Sequence, residues 1–164
     1  MLPTPRSPLF KQSLITVTLV VFSFGCAHQA APRKLTAASV TAVRLDEVVR
    51  TKCKTVSAVT PVFDFSSSEL SAEAKTTLDT VATCFTTGPL KDNNLRLIGF
   101  TDPTGTRADN YELGMDRAQS VALFLEKNGM KKAQLIVTSR GEEGASPDSA
   151  RWPADRIVDL SLAN

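Results

Sequence analysis

The stretch that decides the fold is Gly99–Val121, GFTDPTGTRADNYELGMDRAQSV. It opens on the end of an apolar run, Leu95–Phe100 (LRLIGF), whose composition predicts a β-strand. Pro103 and Gly105 then break the chain, so Thr101–Arg107 reads as a turn. From roughly Ala108 to Lys127 the pattern changes to helical: Leu113, Ala118, Val121 and Leu125 fall on one side, and Asn128-Gly129 supplies a C-cap signal. Asp102 stands just past the strand and Arg117 fifteen residues later on the helix. A sharp turn folds the helix back beside the strand and brings a fixed anion and a fixed cation to one mouth, with Thr104 and Asn110 as neutral hydrogen-bonding neighbours. Such a pair suits a free α-amino acid centre: the carboxylate of Asp102 takes the ammonium, and the planar fork of Arg117 takes the carboxylate. Taken alone, an Asp and an Arg at this spacing also fit a structural salt bridge.

Working outward, Pro61–Phe65 (PVFDF) reads as a short strand closed by three serines. Ser71 is an N-cap candidate, and Ala74, Leu78, Val81 and Phe85 follow at helical spacing until Gly88-Pro89 stops the run. Leu135–Ser139 (LIVTS) predicts a third strand, Gly141–Pro153 a polar loop with Glu142 and Glu143 in a solvated turn, and the alternation of Val158, Leu160 and Leu162 a last strand. Trp152 reads as a packing residue. The order β-α-β-α-β-β predicts an α+β domain over residues 58–164, with helices packed on one face of a mixed sheet. Leu35–Val56 stays open between an amphipathic helix and an extended arm, marked by Val40, Val43, Val48 and Val49.

Gly99–Val121 resembles the motif of OmpA-like peptidoglycan-binding domains, roughly GHTDxxGxxxxNxxLSxxRAxxV. Gly99, Thr101, Asp102, Gly105, Asn110, Leu113, Arg117, Ala118 and Val121 match in register without a gap. Gly114 stands where many members have Ser; LGxxRA, as here, is common in the peptidoglycan-associated lipoproteins. Gln134–Glu143 and Trp152–Leu160 are similar to later segments of that branch, and VFDF followed by SSSEL to its opening strand. The resemblance implies a non-catalytic domain, without cofactor, that binds peptidoglycan through the diaminopimelate of the stem peptide. It implies that Asp102, Arg117, Thr104, Asn110 and Arg156 contact that ligand. Phe100 replaces the family's usual His, Asp155 its Asn and Ile157 its second Arg, and Ser66 stands where some members have Asn. The same resemblance implies a second reading, a protein-interaction module that docks a Tol-type envelope partner with weak or no murein binding.

The ends and the charges of the chain agree with an exported protein. Residues 1–25 carry Arg6 and Lys11 and no acid; without them 17 basic residues face 17 acidic ones, which leaves no basic stripe for nucleic acid. Leu14–Gly25 is an apolar run shorter than the roughly 20 residues that span a bilayer, as in a cleaved signal peptide. Ser23-Phe24-Gly25-Cys26 resembles a bacterial lipobox, which makes Cys26 the lipidation candidate, residues 26–57 a lipid-anchored arm and Ala27–Lys34 its tether. Ala27 in place of Asp favours the periplasmic face of the outer membrane by the enteric sorting pattern. Export permits a disulfide between Cys53 and Cys84; the alternative is two separate buried thiols. His28, the chain's one histidine, lies in the tether, so a histidine-activated nucleophile is excluded, and there is neither zinc-like Cys/His spacing nor a glycine-rich phosphate loop before a helix.

Overall fold

The computed structural model describes residues 43–55 and 63–163. The signal segment, Cys26, the tether and Val40 lie outside them, as do Pro61 and Val62. The described chain runs β1 (Val43–Leu45), α1 (Glu47–Lys52), α2 (Ala72–Thr86), β2 (Asn94–Phe100), α3 (Arg107–Lys127), β3 (Leu135–Gly141), α4 (Trp152–Asp155) and β4 (Val158–Ala163). The sheet order is β1-β4-β2-β3. β1 runs parallel to β4 and β2 parallel to β3, while β2 and β4 are antiparallel, with Leu97 opposite Leu160. The class is α+β with a mixed sheet, as the sequence predicts.

Each element has a local cause. The Ser71 hydroxyl caps α2 by accepting from the Ala74 N–H at 3.1 Å. The face Ala74, Leu78, Val81 and Phe85 is buried throughout. Thr106 caps α3 in the same way through Asp109. At its far end Gly129 takes φ +98°, and the Met130 N–H returns to the Leu125 carbonyl at 3.1 Å. Leu95, Leu97, Val158 and Leu160 alternate along their strands toward a core that also holds Val49, Leu78, Val121 and Leu125. α3 lies across β2 and β3. The contact is backbone to backbone: a Cβ on Gly99 would stand 1.7 Å from the Gly114 carbonyl oxygen, and one on Gly114 would stand 2.3 Å from Ser139 Oγ. Those two glycines let the helix press on the strand end that carries Asp102.

Two expectations change. The PVFDF strand does not form over its described part: Phe63–Phe65 is irregular. The Phe63 N–H donates to the Arg156 carbonyl at 3.1 Å, and the carbonyls of Phe63 and Asp64 accept from arginine side chains rather than from a strand neighbour. The edge strand beside β4 comes instead from Val43–Leu45, so the order becomes β-α-α-β-α-β-α-β. The region left open between arm and helix contains both, joined by Asp46. That residue caps α1 through the Val49 N–H at 2.7 Å, and its other carboxylate oxygen accepts from the Leu162 N–H at 3.2 Å. Cys53, at the end of α1, forms a disulfide with Cys84 of α2 across a Cα separation of 5.3 Å.

Candidate functional site

The sheet ends where the site begins. The Phe100 N–H bonds to the Ile157 carbonyl at 2.8 Å and the Thr101 N–H to the Gly141 carbonyl at 2.9 Å. Asp102 is the next residue and is 4% exposed. One of its carboxylate oxygens accepts from the Thr104 N–H at 3.0 Å and from the Thr104 hydroxyl. The other accepts from Arg156 Nη1 at 3.4 Å. Burial pushes the Asp102 carboxyl up, but the bonds from Thr104 and the Arg156 guanidinium outweigh it and hold the group below its ordinary value, so Asp102 is an anion at neutral pH.

Arg117 is fully buried, at 0% exposure. Its Nε donates to the Ser67 carbonyl at 2.9 Å, Nη1 to the Phe100 carbonyl at 2.9 Å and Nη2 to the Asp64 carbonyl at 3.2 Å. The guanidinium carbon stands 5.3 Å from the centre of the Phe63 ring. Burial, and then the neighbouring Arg156 cation, lower the Arg117 pKa to about 10, against the pull of Asp102; it remains protonated at neutral pH. Arg156 grips the same segment, its Nε donating to the Phe63 carbonyl at 2.9 Å, and its side chain is 15% exposed.

The two arginines thus stitch residues 63–67 against the strand end, and that segment forms one wall of a cleft of about 370 Å³. Phe65, 67% exposed, and Ser66, at φ +53°, stand on this wall. The other wall is the turn carrying Asp102, Thr104 and Gly105, with Asp109, Asn110 and Leu113 of α3 behind it. Of the five residues expected to bind ligand, Asp102, Thr104 and Asn110 line the cleft, whereas Arg117 and Arg156 stand behind its wall. The Asn110 side-chain amide donates to the Glu142 carboxylate, so Glu142 is half-buried and engaged rather than a solvated turn residue. Glu143 is exposed, 3.9 Å from Arg140. Trp152 donates to the Ser146 carbonyl at 3.0 Å, a packing role. Sequence reasoning missed Phe65, Ser66 and Asp109 as lining residues. An Asp three places after a capping Thr is a usable sign for Asp109; Phe65 lies inside the expected strand, and Ser66 just past it carries only the sign that some OmpA-like members have Asn there. With Asp102 and Asp109 as its charged lining, the cleft is suited to a ligand ammonium.

An α+β domain with a mixed sheet and an acid-bearing cleft where β2 turns into α3 is an OmpA-like fold. The OmpA family model matches residues 62–156, more than half of the chain, and the chain belongs to that family. It is 38% identical over 103 residues to the peptidoglycan-associated lipoprotein of Pseudomonas putida, a match covering 60% of this chain and 59% of that protein's length. Its fold is similar to the crystal structure of the peptidoglycan-associated lipoprotein from Burkholderia pseudomallei, with a TM-score of 0.58, 29% identity, and coverage of 63% of this chain and 88% of that one. The C-terminal domain of Helicobacter pylori MotB is similar at a TM-score of 0.56 and 25% identity, over 65% of this chain and 87% of that domain.

Proposed function

We propose that the protein is a non-catalytic component of the bacterial envelope that binds peptidoglycan, with the free amino acid centre of stem-peptide diaminopimelate as the group held. The observation that carries the reading is the Asp102 carboxylate, kept charged at the head of an otherwise uncharged turn and lining the cleft beside Asn110. An ammonium entering the cleft meets Asp102 and Asp109; Thr104 fixes the Asp102 carboxylate in place. The carboxylate on the same ligand carbon needs a cation. Arg156, already on Asp102 and the more exposed of the two arginines, is the proposed contact. Arg117 has three of its five N–H groups on backbone carbonyls and stands fully buried behind the wall, so it contributes fixed backbone and positive charge rather than a direct contact. The names of the Pseudomonas and Burkholderia relatives support the ligand class.

The anchor is proposed with it: cleavage before Cys26, lipidation of its thiol, and attachment to the periplasmic face of the outer membrane, so that the domain ties that membrane to the wall. Co-sedimentation with purified peptidoglycan tests the binding. Wild-type protein is expected in the pellet and Asp102→Ala in the supernatant; wild type in the supernatant overturns the reading, and a pelleting Asp102→Ala overturns the residue assignment. Membrane fractionation of Cys26→Ala tests the anchor separately, with release expected.

A further inference from the structure

The sheet face turned away from α2 and α3 carries a second cleft, of about 270 Å³, between the strands, the segment that follows β3 and the end of α4. Its apolar part is Ile98, Phe100 and Ile157. Among the described residues two buried side-chain oxygens have no hydrogen-bond partner, Thr101 Oγ1 and Asp159 Oδ1. Both residues line this cleft, Thr101 at its boundary with the Asp102 cleft, which it lines as well, and Thr101 is 2% exposed. Buried polar atoms are nearly always paired, and an unpaired carboxylate oxygen is the costlier case. The Thr101 hydroxyl can donate or accept, but the Asp159 carboxylate oxygen only accepts, and it is Asp159 that points to a hydrogen-bond donor as occupant.

The charges say which donor. Arg44 is paired with the other oxygen of Asp159, and Arg140 faces Glu143 at 3.9 Å. Asp155 also lines the cleft, with its carboxylate accepting from the Ser146 N–H at 2.9 Å, and no cation matches it there. The lining thus has one acid in excess of its two arginines. The chain's own Arg44 guanidinium, paired with Asp159, stands 5.9 Å from the centre of the Phe100 ring, so this lining already accommodates one planar cation. Three of the positions at which this chain departs from the OmpA-like pattern, Phe100, Asp155 and Ile157, are in this lining, and together they replace basic or neutral polar groups by apolar ones and an acid. A free amino acid is disfavoured, because both arginines already face acids and leave no cation for its α-carboxylate. We propose that this cleft is a socket for a basic side chain, a guanidinium before an ammonium, presented by a protein partner.

The test is a backbone-amide NMR titration of the full chain in detergent micelles. The probes are Nα-acetyl-arginine amide, its uncharged isostere Nα-acetyl-citrulline amide, and Nα-acetyl-glutamate amide. The arginine probe is expected to shift the amides of Ile98, Gly144 and Ile157 saturably, and the citrulline probe not to. Asp159→Asn is expected to weaken the arginine probe about tenfold, the scale of one charge-assisted hydrogen bond. Asp155→Asn, which keeps an acceptor for the Ser146 N–H, is expected to weaken it severalfold, and Asp102→Asn, in the other cleft, to leave it unchanged. Equal shifts from citrulline, tighter binding of glutamate, no saturable shift, or Asp155→Asn and Asp159→Asn variants that bind like wild type would each overturn the socket. Because peptidoglycan binding is read by sedimentation and this site by the arginine probe, either can fail without the other.

Discussion

The two walls of the Asp102 cleft are built in opposite ways. The turn Thr101–Thr106 holds itself: Asp102 bonds to Thr104 two residues on, Gly105 takes φ +101°, and Thr106 caps the helix that follows. The segment 63–67 is held from afar, by Arg117 through carbonyls 50 and 53 residues away and by Arg156 from 93 residues away. One wall is local chemistry and the other is tertiary. The difference teaches that a charged residue of a binding motif can shape a site by fixing backbone rather than by facing the ligand.

The largest effect is therefore expected at the remote wall. Arg117→Ala leaves three carbonyls without their donor in a buried place, and unfolding in denaturant is expected to show a loss of about 3–5 kcal/mol, the range for breaking a buried charged network. A loss under about 1 kcal/mol, the scale of a surface ion pair, would mean that the wall holds without Arg117. Arg117→Lys keeps the charge but not the fork that reaches three carbonyls, so it is expected to fall between wild type and Ala.

The same contrast explains what was legible in the sequence. The local wall could be read, because Pro103, Gly105 and the onset of helical periodicity act over a few residues. The strands β2, β3 and β4 and the faces of α2 and α3 were legible for the same reason: their period is written along the chain. Phe63–Phe65 reads as a strand because alternating aromatics carry that signal whether the carbonyls beside them meet a strand or an arginine. Val43–Leu45 is not legible as a strand because three residues are too few to show a period, and their strand character comes from pairing with β4. At the site, Asp102 and Arg117 were found by register, but that Arg117 turns its donors to the backbone depends on where residues 64 and 67 lie.

Removing the disulfide sharpens the comparison from outside both walls. Replacing Cys53 and Cys84 together by Ser is expected to cost about 2–4 kcal/mol of stability, with peptidoglycan binding unchanged per folded molecule because the bridge joins α1 to α2 away from the cleft. Smaller losses are expected at the local wall. Thr106→Ala should cost about 1 kcal/mol through the lost cap. Gly105→Ala should cost about 1–2 kcal/mol, because an alanine is strained at that φ. Losses there as large as at Arg117 would erase the distinction between the walls. The smallest expected effect is that of mild acid. The Asp102 carboxyl lies below its ordinary value of 3.8, so its contribution is present above the unfolded-state pKa and is lost only as pH falls through the lower folded value. Peptidoglycan binding followed by sedimentation is expected to stay flat from about pH 7 to pH 5, where a carboxylate is still charged.

Calorimetric titration of a diaminopimelate-containing stem peptide against the same peptide acetylated on its free amino group tests the ammonium contact at Asp102 most directly. Wild-type protein is expected to lose about tenfold or more in affinity on acetylation, the scale of a charge-assisted hydrogen bond, and Asp102→Asn to bind both peptides equally weakly. An acetylation penalty of the same size in wild type and Asp102→Asn would contradict it.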